Sequence, residues 1–135
     1  MPNILRTATP MGDWRSFKFI CPDSGGWLGA KNSFAAGQSW LYLVGDTVCA
    51  LLEDALFGDA AVGIYHAEKI IVPKVTDAQG LFGVGDVVYW DPITRLVSNT
   101  FASTLLRIGI ATELALAADS LMEIDLDGAG AAVRP

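Results

Sequence analysis

Along most of this chain, apolar residues come in short runs of Val, Ile, Leu, Tyr and Trp, separated by Gly-Asp, Asn and Pro turns. Runs of this length, rich in β-branched and aromatic residues, are the signature of strands. The pattern predicts strands over Ser39–Val44, Thr47–Glu53, Ala61–Tyr65, Lys69–Val72, Asp86–Trp90, Leu96–Asn99, Leu106–Thr112 and Leu121–Leu126. The last run tests the period: Met122, Ile124 and Leu126 should face a core, with Glu123, Asp125 and Asp127 in water. Asp91-Pro92 followed by Ile93-Thr94-Arg95 reads as a hairpin connection in which proline sets the turn. Thr104–Ala118 has the composition of a helix, but Gly109 between Ile108 and Ile110 argues for a strand, leaving Glu113–Asp119 as a loop or short helical turn.

A faint internal echo accompanies the alternation. Gly45-Asp46-Thr47-Val48 recurs as Gly85-Asp86-Val87-Val88, and each copy precedes an apolar-Gly-Ile unit, Val62-Gly63-Ile64 and Ile108-Gly109-Ile110. The expectation is an all-β fold, a small β-barrel or β-sandwich built from two similar β-units, which closes off exposed strand edges.

The N-terminal segment differs. Pro2, Pro10 and Pro22 with Gly12, Gly25, Gly26 and Gly29 exclude a long helix, yet Trp14, Phe17, Phe19 and Trp27 are more aromatic than a disordered tail. Residues 1–31 carry four bases (Arg6, Arg15, Lys18 and Lys31) against two acids, a net of +2, while the remainder carries five bases against 13 acids, a net of −8. Two readings stand. One is a first strand over Phe17–Cys21 behind a loose leader. The other is an extended N-terminal arm whose aromatics anchor in a neighbouring subunit, its bases facing an acidic surface. The chain accordingly divides into an arm or first strand over 1–38 and a barrel-like domain over 39–135.

With 135 residues, 52 % of them hydrophobic, 18 % charged and a net charge of −6, the chain is long enough for one self-sufficient core. Its low charge suggests that part of the apolar surface is buried against a partner. The longest charge-free stretch, Asn32–Gly45, is too short and too polar for a membrane span, and the acidic balance argues against nucleic acid. No secretory signal pattern opens the chain, so folding in a cytoplasm is expected. Cys21 and Cys49 fit no zinc or redox spacing; a disulfide between them is allowed, and two buried free thiols are the expectation.

Catalytic patterns are sparse. Gly37-Gln38-Ser39-Trp40-Leu41 lacks the closing glycine of a nucleophile elbow, and Gly80-Leu81-Phe82-Gly83-Val84-Gly85 has the wrong order for dinucleotide binding. Gly29-Ala30-Lys31-Asn32-Ser33 is no phosphate-binding loop. Asp125-Leu126-Asp127-Gly128 opens like a calcium loop but is followed by no bidentate Glu. Glu53 and Asp54 are adjacent and would point to opposite faces of a strand, and His66 reads as a surface or hydrogen-bonded histidine. No enzyme, cofactor or metal site is expected.

Three stretches carry a resemblance: Gly58 through Ile71-Val72-Pro73-Lys74, then Gly85-Asp86-Val87-Val88-Tyr89-Trp90-Asp91, then Arg107-Ile108-Gly109-Ile110-Ala111 with a final apolar strand. In this order they resemble the tailed-phage capsid cement, or decoration, proteins over roughly residues 39–128. Residues 1–38 are longer and more aromatic than the usual leader of that family. Some members carry a recombinase label, which the missing phosphate-loop lysine and the acidic balance argue against here. The resemblance implies a structural virion protein, made in the host cytoplasm, that binds the outer surface of the expanded head and bridges major capsid protein subunits. A homotrimer near local three-fold axes is implied as well. On that reading Arg6, Trp14, Arg15, Phe17, Phe19 and Trp27 are the interface candidates, and Gly58, Pro73, Gly85, Asp86, Tyr89, Trp90, Asp91 and Gly109 are the structural residues of the motif. Tyr89 and Trp90 alternate faces, so one should pack the core and the other an interface. The competing class is a β-barrel binding module, carbohydrate-binding or tail-associated, with Trp27, Trp40 and Trp90 as stacking surfaces.

Overall fold

The computed structural model describes residues 14–32 and 38–134. It is all-β, with no α-helix among the described residues, and its sheet is curled into an open half-barrel. Among the described residues, no helix is long and apolar enough to cross a membrane. The strands are β1 (Arg15–Ile20), β2 (Leu41–Val44), β3 (Thr47–Ala50), β4 (Ala60–Pro73), β5 (Val87–Trp90), β6 (Val97–Ser98), β7 (Leu106–Ala111) and β8 (Leu121–Asp127). They form one sheet in the order β2-β3-β4-β8-β7-β5-β6, with β1 on β4. Single 3-10 turns at Ala30–Asn32, Ala78–Gly80 and Ala131–Val133 punctuate the loops.

β4 is the spine. Its first half pairs with β1, from Ile20 opposite Ala60 to Arg15 opposite His66, and its second half pairs with β8, from His66 opposite Asp127 to Pro73 opposite Leu121. The sequence breaks this element in two because His66, Glu68 and Lys69 interrupt the apolar run. The chain instead stays in the sheet and absorbs the extra residues as a bulge: the β4–β8 register shifts between Ala67 and Ile70, and Lys69 takes φ 55°. A lone parallel bridge from Lys74 to Val97 draws β6 back towards the end of β4, and Val75 N donates to Val97 O at 3.0 Å.

Alternation places the β2–β3 hairpin between two cores. Leu41 and Val48 point into the main core with Trp40, Ile70, Phe82, Trp90, Ile108, Ile124 and Leu126. Tyr42 and Cys49 point the other way, into a smaller core with Cys21 and Leu51 that Phe17, Phe19, Trp27 and Tyr65 cover. The hairpin turns at Gly45, whose φ of 59° suits the first central position of a type II′ turn. Both cysteines are free and buried.

On β8, Met122, Ile124 and Leu126 face the core, and Asp125 and Asp127 are exposed. Glu123 departs from the expected alternation. It is 5 % exposed and accepts a hydrogen bond from Thr112 Oγ1 at 2.8 Å, because the middle of the β4–β8 pair is covered on both faces, where its partner Ile71 is also buried. Thr104–Ala118 divides into β7 and a loop, as the glycine suggested. The two Gly-Asp strings occupy different places: Gly45-Asp46 joins β2 to β3, whereas Gly85-Asp86 opens β5. Likewise Gly63 lies in β4 and Gly109 in β7.

Candidate interaction surface

Among the interface candidates, Arg6 lies outside the described residues, as does the rest of the segment 1–13. Trp14 is 40 % exposed and Arg15 is exposed at the start of β1. Phe17, Phe19 and Trp27 are half-buried and pack within their own chain. Phe17 meets Tyr65 edge-on at 5.8 Å and stacks on Phe19 at 5.6 Å; Phe19 meets Trp27 at 5.8 Å. Trp27 lies flat on Tyr42, 4.2 Å between centroids and 14° between planes. The Arg95 guanidinium sits over the Tyr42 ring, 4.5 Å from its centroid. This ladder ties β4, β1, the following loop, β2 and the β5–β6 hairpin together, each aromatic pair adding roughly 0.5–1.5 kcal/mol beyond its buried area. Tyr42 also donates from its hydroxyl to Leu28 O at 2.7 Å, and burial raises its pKa despite the neighbouring Arg95.

The motif residues are chiefly turn and close-approach positions. Gly58 and Gly85 have φ of 83° and 90°, in the left-handed region that L side chains avoid. Asp86 accepts from Gly83 N at 2.7 Å and Asp91 accepts from Ile93 N at 2.8 Å, so each carboxylate holds its own turn. Trp90 is the core member of its pair, fully buried, while Tyr89 lies on the opposite face against Phe101 at 5.8 Å. Gly109 lets β7 lie against the Asp125 carbonyl of β8. Pro73 ends β4 in the interior. Trp40 and Trp90 are buried in the main core, whereas Trp27 is half-buried, with one face covered by Tyr42.

His66 is half-buried and its Nδ1 lies 4.0 Å from Asp127 Oδ1, beside a shallow groove of about 360 Å³ over the bulge. Glu53 and Asp54 are in a loop rather than a strand: Glu53 pairs with Lys31, and Asp54 accepts from Gly29 N at 2.7 Å and Asn32 Nδ2 at 2.8 Å. Both carboxylates therefore fasten the 29–32 turn.

Sequence reasoning missed two apolar loop tips at the surface. Ala55 forms an isolated bridge with Trp27, each N–H donating to the other's carbonyl at 2.8 Å. Ala115 forms the same bridge with Phe82 at 3.0 Å both ways. The bridged residues point inward, so their neighbours are turned out: Leu56 and Phe57 are 69 % and 63 % exposed, and Leu114 and Leu116 are 67 % and 57 % exposed. Each tip then closes with the same hydrogen bond, Asp59 N to Leu56 O at 3.0 Å and Asp119 N to Leu116 O at 3.1 Å. The segments that lead into the bridge partners Trp27 and Phe82 carry such a turn also, since Gly26 N donates to Asp23 O at 2.8 Å and Gly80 N to Asp77 O at 2.9 Å. The signal was present in the sequence as Glu53 to Ile64 against Glu113 to Ile124, sixty positions on, with Ala, Leu and Asp matching between. The second tip rests on Lys74, which is 2 % exposed and donates to Val75 O at 3.1 Å and to Ala117 O at 3.3 Å. Burial lowers the pKa of this ammonium, an effect that Asp119 and Asp77 partly offset.

No protein-family model matches the chain, and no curated protein is significantly similar to it.

Proposed function

We propose that this chain is a structural binding protein of the decoration class, one that seats on the outside of a tailed-phage head and bridges major capsid protein subunits. The observation that carries the reading is the pairing of a stiff, fully packed sheet with large apolar side chains held outward at its loop tips, Leu56, Phe57, Leu114 and Leu116. Exposed apolar groups on a rigid frame cost little ordering entropy when they are buried, which suits a cement more than an enzyme. The recurring bridge and turn hydrogen bonds support two similar β-units, whose tips Ala55 and Ala115 are sixty residues apart and whose bridge partners Trp27 and Phe82 are 55 apart. A trimer near local three-fold axes belongs to the same proposal, as does an interface role for residues 1–13 and Trp14.

Sedimentation of the purified protein with expanded heads of the encoding phage, followed by electron microscopy, tests this. Saturable occupancy on the outer surface is expected, and absence of binding would overturn the reading. Removing residues 1–13 leaves β1 whole; unchanged occupancy of that variant would take the segment out of the interface.

A further inference from the structure

The two apolar tips lie at opposite ends of one strand. Tip one, residues 54–59, runs directly into Ala60, the first residue of β4. Tip two, residues 114–119, runs into Leu121, which pairs with Pro73, the last residue of β4. The strand between them has 14 residues, so at roughly 3.3 Å per residue its own ends stand at most about 43 Å apart, less what the bulge and the curl of the sheet take away, and the tips project beyond those ends.

Their chemistry matches in part: sixty positions on, Leu56 answers to Leu116 and Asp59 to Asp119, while Phe57 answers to Ala117 and Leu114 to Asp54. Each has an exposed leucine directly after a bridged, buried alanine, and each ends on an exposed aspartate, Asp59 in one and Asp119 in the other. The rims are acidic. Glu53, Asp54 and Asp59 flank the first tip, with Lys31 already paired to Glu53. Glu113 and Asp119 flank the second, and Asp86 holds the adjoining turn at Gly83. An apolar point inside a ring of carboxylates is complementary to an apolar depression rimmed by Lys or Arg.

We infer that the protein is bivalent: its two tips insert into two copies of one basic-rimmed apolar depression, presented by neighbouring subunits of the same shell at a spacing set by the length of β4. A duplicated contact within one chain matches a partner that is itself repeated. Loading of the second tip is then intramolecular, so two weak contacts combine into one strong one. The inference rests on the decoration reading and names what that surface binds. It also makes β4 the distance gauge between the two contacts.

Three variants test it on purified expanded heads: Leu56→Ser with Phe57→Ser, Leu114→Ser with Leu116→Ser, and all four together. These side chains are largely outside the core, and unchanged near-ultraviolet circular dichroism and thermal midpoint confirm folding of each variant. Each single-tip variant should bind roughly 100-fold more weakly than the parent, the two should agree within about threefold, and the four-site variant should not bind. Raising salt should weaken the parent, as acidic rims against basic ones require. Loss at one tip alone would make the contact monovalent and overturn the inference, as would parent-like binding by both single-tip variants. If the parent itself fails to bind heads, the decoration reading fails instead, so the two failures are distinct.

Discussion

Replacing Gly109 by alanine isolates the closest approach in the β7–β8 pair. A Cβ at that position would lie 2.1 Å from the Asp125 carbonyl oxygen and 3.1 Å from its carbon, both backbone atoms. A carbon and an oxygen need about 3.2 Å, so the strands must part by roughly 1 Å. Neither can give easily, because Ile108, Ile124 and Leu126 on either side are fully buried. Parting them weakens the ladder at Gly109 opposite Leu126, at about 1 kcal/mol per hydrogen bond, and strains the core by roughly 1–3 kcal/mol. The expected total is about 3 kcal/mol, a large share of the ~5–15 kcal/mol that holds a domain together. Gly83→Ala is the control: its Cβ would meet only the Asp86 carboxylate, at an ordinary 3.5 Å, so its effect should stay within about 0.5 kcal/mol. Urea unfolding followed by tryptophan fluorescence reads both, since Trp40 and Trp90 are buried in the main core. A Gly109→Ala protein within about 0.5 kcal/mol of the parent would refute the steric argument.

Other consequences are as direct. Trp27→Ala removes the stack on Tyr42 and the contact with Phe19, and should cost about 2–3 kcal/mol, with amide exchange accelerating more in β1 than in β8. Asp91→Ala frees the Ile93 amide at the β5–β6 turn and should cost about 1 kcal/mol by thermal or urea unfolding. The Cys49 thiol, which burial pushes up to about 12 from 9.0, stays protonated in the native protein while the unfolded chain ionises. Its contribution is therefore complete below pH 9 and is lost as pH rises towards 12, at about 1.4 kcal/mol per pH unit. Lys74, with its pKa lowered by burial, works in the opposite sense, so the measurement is the difference between parent and Cys49→Ala, whose stability should fall less steeply above pH 9. Parallel pH slopes for the two proteins would contradict this.

Strand positions were legible because side chains alternate wherever one face of the sheet is covered and the other is wet. β8 shows both the strength and the limit of that signal: Ile124 and Leu126 point inward as expected, but Glu123 is buried too, held by Thr112 and paired with the buried Ile71. The polar break His66–Lys69 looks like a turn in sequence and is a bulge in β4, since staying paired with β8 retains more hydrogen bonds than leaving the sheet. For the surface, aromatics drew attention to Phe17, Phe19 and Trp27, which the ladder packs inside the chain. Leu56 and Leu116 carry no local mark of exposure; the bridges at Ala55 and Ala115 turn them outward.

Arg15 and Asp127 flank His66 from opposite edges of β4, so the incoming and outgoing chain run about 10 Å apart, two strand spacings. A short Gly/Ser linker could therefore join the two sides into a ring without disturbing any strand. The ring could then be reopened at the β5–β6 turn, where Ile93 is 89 % exposed. Such a permutant would open the chain at a hairpin distant from the waist of β4 while every pairing in the sheet stayed the same. Passenger proteins could then be carried on either of two separate sites of one scaffold.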